Sequence, residues 1–149
     1  VCALHVHSTY ATVLACLSDS RLPPVDQNSA MFFNRFAIDE DYGGLAFESE
    51  GRRCAQLMSD PKTKILIMGN HGVLVIGNSV GDAFDRLYYF ERACRTYILA
   101  LQTGKKLRII PDTIAEKVAC QIEAFSGEDS DHFKEIKLIL DQEGSDYSS

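Results

Sequence analysis

Ile65-Leu66-Ile67-Met68-Gly69-Asn70-His71-Gly72-Val73-Leu74-Val75-Ile76 is the stretch that decides the fold class of this chain. It holds two runs, Ile65 to Met68 and Val73 to Ile76, that are apolar at every position. A strand with one face in water alternates apolar with polar residues, and a strand covered on both faces does not. The two runs therefore predict central strands of a sheet with helices on each side. Outward from them, residues 1–7 alternate, with Cys2, Leu4 and Val6 on one face and Ala3, His5 and His7 on the other. A helix over residues 9–17 follows, capped by Ser8, with Val13, Leu14 and Leu17 inward. Pro23 and Pro24 keep residues 22–25 extended. A short helix over 26–33, capped by Asp26 or Asn28, precedes a brief strand at 36–38. A loop over 39–44 with a Gly43-Gly44 turn leads to a helix over 48–59 with Cys54, Leu57 and Met58 inward.

On the other side, Ser79 opens the longest helix, residues 80–103. Its apolar positions Ala83, Leu87, Phe90, Cys94, Ile98 and Leu101 keep a three-four spacing until Gly104. A helix from Pro111 or Asp112 to about residue 125, a polar loop over 126–130 and an amphipathic helix with Phe133, Ile136, Leu138, Ile139 and Leu140 complete the chain before a loose tail, 144–149. Strands and helices alternate, so the class is α/β, and 149 residues suit one domain. A strand that starts at residue 1 without a lead-in predicts further sequence upstream.

Composition narrows the function classes. Fifteen basic against twenty-one acidic residues give a net charge of −6, which speaks against nucleic acid as a partner because phosphate neutralisation needs clustered Lys and Arg. The longest apolar runs are far shorter than the ~18 residues a membrane helix requires, and no signal peptide is evident, so a cytoplasmic protein is expected. Five widely spaced cysteines form no disulfide framework. Cys2, Cys16, Cys94 and Cys120 read as small core residues. Cys54, after Arg52 and Arg53, reads chiefly as a buried helix residue, with a reactive thiol as the alternative.

The chemistry concentrates in histidine. His5 and His7 project side by side from one strand face, and His71 stands between two apolar strands beside a glycine that permits a sharp turn. Three imidazoles without a partner cysteine are the donor set of a catalytic zinc site with an open position. H-x-H alone also fits two half-exposed strand histidines. His132 reads as a surface residue. Asp39, Glu40, Asp41 and Tyr42 read as a solvated acidic loop, with a fourth ligand or a base as the alternative. Tyr88-Tyr89-Phe90 carries more aromatic surface than one helix face needs, which hints at a subunit interface.

The chain resembles the class II aldolase/adducin family. The resemblance rests on His5-Val6-His7-Ser8 with Tyr10-Ala11-Thr12, Leu22-Pro23 with Asp26-Gln27-Asn28, Asp41-Tyr42-Gly43-Gly44, Asn70-His71-Gly72-Val73-Leu74-Val75 with Gly77 and Ser79, and the run from Ala83 to Cys94. The helices after Pro111, with His132-Phe133, resemble the C-terminal extension of one branch. The resemblance implies a three-layer α/β/α sandwich on a largely antiparallel sheet, a homotetramer with sites at subunit interfaces, and a divalent metal, typically zinc, on His5, His7 and His71. It implies a lyase that cleaves a ketose 1-phosphate of the L-fuculose 1-phosphate type into dihydroxyacetone phosphate and an aldehyde. Decarboxylases and epimerases of the same family, and a non-catalytic adducin-like interaction module, are the alternatives. By the same resemblance, the acid/base glutamate and the phosphate-binding loops lie upstream of Val1. Asp26-Gln27 stands near the place of a proton-donating tyrosine found in the microbial fuculose-phosphate aldolases. Within the chain, the carboxylates closest in sequence to loops that could reach the metal are Asp26, Glu40 and Asp41.

Overall fold

The structure is a computed structural model that describes residues 1–41, 44, 48–125 and 131–147. Four strands, β1 (Cys2–Val6), β2 (Phe36–Asp39), β3 (Ile65–Met68) and β4 (Gly72–Gly77), form a sheet in the order β1-β4-β3-β2. The two apolar runs are its central strands. β4 pairs antiparallel with both β1 and β3, and β2 runs parallel to β3. The helices are α1 (Thr9–Ala15), α2 (Gln27–Met31), α3 (Glu48–Leu57), α4 (Val80–Gln102), α5 (Asp112–Phe125) and α6 (Asp131–Gln142). No helix among the described residues is long and apolar enough to cross a membrane.

Alternation along β3 explains the layers. Ile65 and Ile67 point one way and join Val73, Val75, Leu14 of α1, Phe32, and Phe90 and Cys94 of α4 in the main core. Leu66 and Met68 point the other way and meet Cys54 and Leu57 of α3. All four β3 residues are buried, so the sheet is covered on both faces. Each such side chain withdrawn from water stabilises the fold by ~1.5–3 kcal/mol. α4 begins where the Ser79 hydroxyl accepts the Asp82 N–H, and it ends before Gly104, whose φ of +65° suits a residue without a Cβ.

Several local expectations are corrected. α1 stops at Ala15, and its buried stripe is Ala11, Leu14 and Ala15 at helical spacing, which turns Val13 to solvent. Cys16, beyond the last turn of α1, and Cys120 of α5, whose Sγ accepts from Arg35, are exposed, whereas Cys54 and Cys94 are buried. Asp39 is not solvated: it ends β2, is buried, and accepts from Arg53 at 2.8 Å. His132 is no free surface residue. Its Nδ1 lies 2.8 Å from Asp85 Oδ1, and its ring packs against Tyr88 and Phe84, so α6 covers part of the aromatic face of α4. Tyr42 and Gly43, the 126–130 loop and the last two tail residues lie outside the described residues.

Candidate metal centre

β1 carries His5, and His7 follows it, so strand periodicity alone sets both imidazoles on one side. The antiparallel register adds the third. Val6 pairs with Val73 and Met68 with Gly72, which brings the β3–β4 turn and its His71 level with the end of β1. The ring centroids form a nearly equilateral triangle: His5 to His7 is 5.0 Å, and His71 is 4.8 Å from each. One nitrogen from each residue lies within 4.8 Å of the others, so residues far apart in sequence form one donor cluster.

The turn is held on every side. The Met68 carbonyl accepts the His71 N–H, the Ala15 carbonyl accepts the Asn70 N–H, and the Asp39 carbonyl accepts the Gly69 N–H, at 3.0, 2.9 and 2.8 Å. Asn70 adopts φ +56°, a left-handed conformation that asparagine tolerates. Gly72 is required by contact: a Cβ there would stand 2.5 Å from the Val6 carbonyl oxygen and 2.7 Å from His7 Cδ2.

The donor set fits a divalent cation. His5 Nδ1 lies 3.1 Å from the Val73 carbonyl oxygen. A carbonyl only accepts, so Nδ1 carries the proton and Nε2 keeps its lone pair, the tautomer a metal needs. His5 Nε2 and His7 Nε2 are 3.2 Å apart, close to the roughly 3.3 Å expected of two nitrogens at ~2.0–2.1 Å from one tetrahedral ion. Desolvation, and then the neighbouring His5 and His7, push the His71 pKa down, which favours the neutral ring that ligates.

The three carboxylates singled out in sequence are placed differently. Asp26 caps α2 in a capping box with Ser29, its Oδ1 accepting both the Ser29 N–H and hydroxyl. Asp41 is exposed, and its N–H donates to Asp39 Oδ1. Glu40 alone of the three lines an open groove of about 580 Å³ beside the His71 turn, together with Asp19, Arg21, Asp39 and Asn70. Arg21, the cation of that lining, is bound to Asp19 and holds its carboxyl down to about 2. Among the described residues that line it, acidic side chains outnumber basic ones, which does not suit a phosphate.

Two features escaped the sequence reading. Glu91 of α4 receives three hydrogen bonds from the residues just after His7. The signal for it was a carboxylate on the apolar stripe that runs through Leu87, Cys94 and Ile98. Arg35 is fully buried and bound to Glu116 and Glu123 of α5, and nothing in its neighbours marks it.

Comparisons with known proteins follow the same lines. Residues 1–98 match the family described as Class II Aldolase and Adducin N-terminal domain. A class 2 aldolase-like protein of Pseudomonas aeruginosa is 31% identical over 76% of this chain and 42% of its own length. Human gamma-adducin is 30% identical over 67% of this chain and 14% of its own. The decarboxylase NovR of Streptomyces niveus is 26% identical over 78% and 40%. The chain thus spans less than half the length of these relatives. Among solved structures, an aldolase II superfamily protein of Pseudomonas syringae superposes with a TM-score of 0.82 and 30% identity, over 99% of this chain and 58% of that one. An L-fuculose 1-phosphate aldolase gives a TM-score of 0.68 and 28% identity over 81% and 55%.

Proposed function

Because the chain belongs to the class II aldolase and adducin family, we propose that it is the metal-binding part of a lyase. The substrate class is a ketose 1-phosphate of the L-fuculose 1-phosphate type, cleaved to dihydroxyacetone phosphate and an aldehyde. The observation that carries this reading is the triangle of His5, His7 and His71, since a module that only mediates assembly has no physical need of three aligned imidazoles. His5, His7 and His71 as neutral imidazoles would hold a divalent ion, zinc foremost, which would supply Lewis-acid polarisation of a substrate carbonyl.

The chain's own residues provide orientation. The Val73 carbonyl sets the His5 tautomer, the absent Cβ at Gly72 leaves room for the His7 ring, and the pinned β3–β4 turn presents His71. Rigid presentation of this kind keeps donors within the tolerances that catalysis requires. The reading includes a homo-oligomeric assembly, supported by exposed apolar side chains on α4, α5 and α6.

Metal analysis of the purified protein tests the centre: about one zinc per chain is expected, and it is lost in His7→Ala or His71→Ala. Stoichiometric zinc in either variant contradicts the assignment. Assays on a panel of sugar phosphates, with aldehyde and ketose-phosphate detection, test the reaction. A hydroxy or keto acid added to the panel tests the second reading, a decarboxylase, which the similarity to NovR supports: its carboxylate would leave as carbon dioxide. A protein that binds no zinc and releases neither aldehyde nor carbon dioxide from any substrate of the panel would favour an adducin-like module.

A further inference from the structure

We propose that Glu91, on α4, is a positioning residue for the candidate metal centre, its carboxylate clamping the start of α1 and so setting where His7 stands. This rests on the metal reading above. The first N–H groups of a helix lack partners within it, and a Ser, Thr or Asp at the N-cap ordinarily accepts from the second and third. Ser8 occupies the N-cap of α1 but makes no such bond. Glu91 replaces it from another element: Oε1 accepts the Tyr10 N–H, and Oε2 accepts both the Ala11 N–H and the Ser8 hydroxyl, all at 2.8 Å.

The origin of the cap matters. A side chain of Ser8 would travel with its own helix and leave the β1–α1 junction free to turn. Glu91 instead ties that junction to α4, next to Phe90, Ala93 and Cys94, each with no exposed surface. His7 is then fixed through both neighbours, Val6 by its pairing with Val73 and Ser8 by Glu91. Without the clamp α1 still docks through Ala11, Leu14 and Ala15, so the loss falls on the junction and on the approach of His7 to His5 and His71.

The test is zinc affinity of the folded chain, measured by competition with a chromophoric chelator, and the visible absorption of the cobalt-substituted protein. Glu91→Ala and Glu91→Gln are compared with wild type and with Glu123→Ala, which weakens the Arg35 ion pair on α5. Glu91→Ala is expected to lose affinity by about 10–100-fold, the range for groups that orient a ligand. Glu91→Gln keeps one acceptor but sets an amide donor against a backbone N–H, so its affinity falls between. The cobalt bands shift in both Glu91 variants and stay unchanged in Glu123→Ala. Wild-type Kd and bands in both Glu91 variants overturn the proposal. So does a Glu123→Ala protein that loses zinc in step with its lowered Tm as the Glu91 variants do. Should Glu91→Ala not fold, Glu91→Gln against wild type decides. Wild-type protein that takes up no zinc removes the metal reading and this inference together, whereas equal binding by all removes only the clamp.

Discussion

At Gly72 a single hydrogen atom separates a working turn from a clash. A methyl group there would meet the Val6 carbonyl oxygen at 2.5 Å and His7 Cδ2 at 2.7 Å. Gly72→Ala is expected to destabilise the fold by about 1–3 kcal/mol, the cost of overpacking a filled site. It should also weaken zinc uptake, because one of the displaced groups is His7. Denaturant unfolding and zinc titration read the two effects, and wild-type values in both would contradict the packing argument. The cysteines give a second test at this scale. Burial is the main force pushing the thiols of Cys54 and Cys94 up, so both stay protonated and shielded. Cys16 and Cys120 are exposed. A disulfide reagent at pH 8 should therefore modify Cys16 and Cys120 quickly and Cys54 and Cys94 only after denaturation. Cys16→Ser should remove part of the fast phase and Cys94→Ser none of it. A fast phase that includes Cys94 would show that the α4 core opens readily.

α5 illustrates how an element is held by charge as well as by apolar contact. Ala115 and Ala119 are fully buried and let the helix approach closely. Arg35, 2% exposed, reaches across to Glu116 and Glu123 and donates to the Phe33 carbonyl at 2.9 Å. The hydrogen bond from Arg35 holds the Glu116 carboxyl below its ordinary value of 4.5. A carboxylate with a depressed folded pKa adds stability above its unfolded pKa, and that contribution is lost as pH falls through the folded value. Wild-type Tm should therefore decline more steeply below pH 4.5 than that of Glu116→Gln, whose Tm is lower at pH 7 and flatter in acid. Parallel curves from pH 7 to pH 3 would show that the pair contributes nothing to α5 docking.

For the whole molecule the exposed apolar surface bears on assembly. Part of the aromatic surplus on α4 is taken up by His132 and Phe133 of α6, with Phe84 5.6 Å and 5.5 Å from their rings. Other apolar side chains stay exposed: Leu99 and Leu101 on α4, Ile114 on α5, Leu138 and Ile139 on α6. Apolar surface rimmed by charge is the usual mark of an interface. Sedimentation at micromolar concentration is expected to show a homo-oligomer, and Leu138→Glu with Ile139→Glu to shift it toward smaller species. A wild-type monomer would contradict the proposed assembly.

Where neighbours along the chain decide the outcome, most of it was legible in the sequence, with the inward face of α1 the exception, since Val13 is exposed. Unbroken apolar runs named β3 and β4 as central strands, three-four spacing named α4, and period-two alternation set His5 and His7 on one side. Each is a consequence of backbone geometry that a few consecutive residues express. Family motifs extended that reach to His71, which spacing alone left as a candidate. What only the tertiary structure decided depends on partners far apart in sequence. The register of β1 on β4 closed the histidine triangle, Glu91 capped a helix eighty residues before it, Arg35 found its carboxylates on α5, and Asp85 paired with the half-buried His132. A charged side chain reads as solvated until the element that neutralises it is packed against it, and that packing is written in no local stretch of the chain.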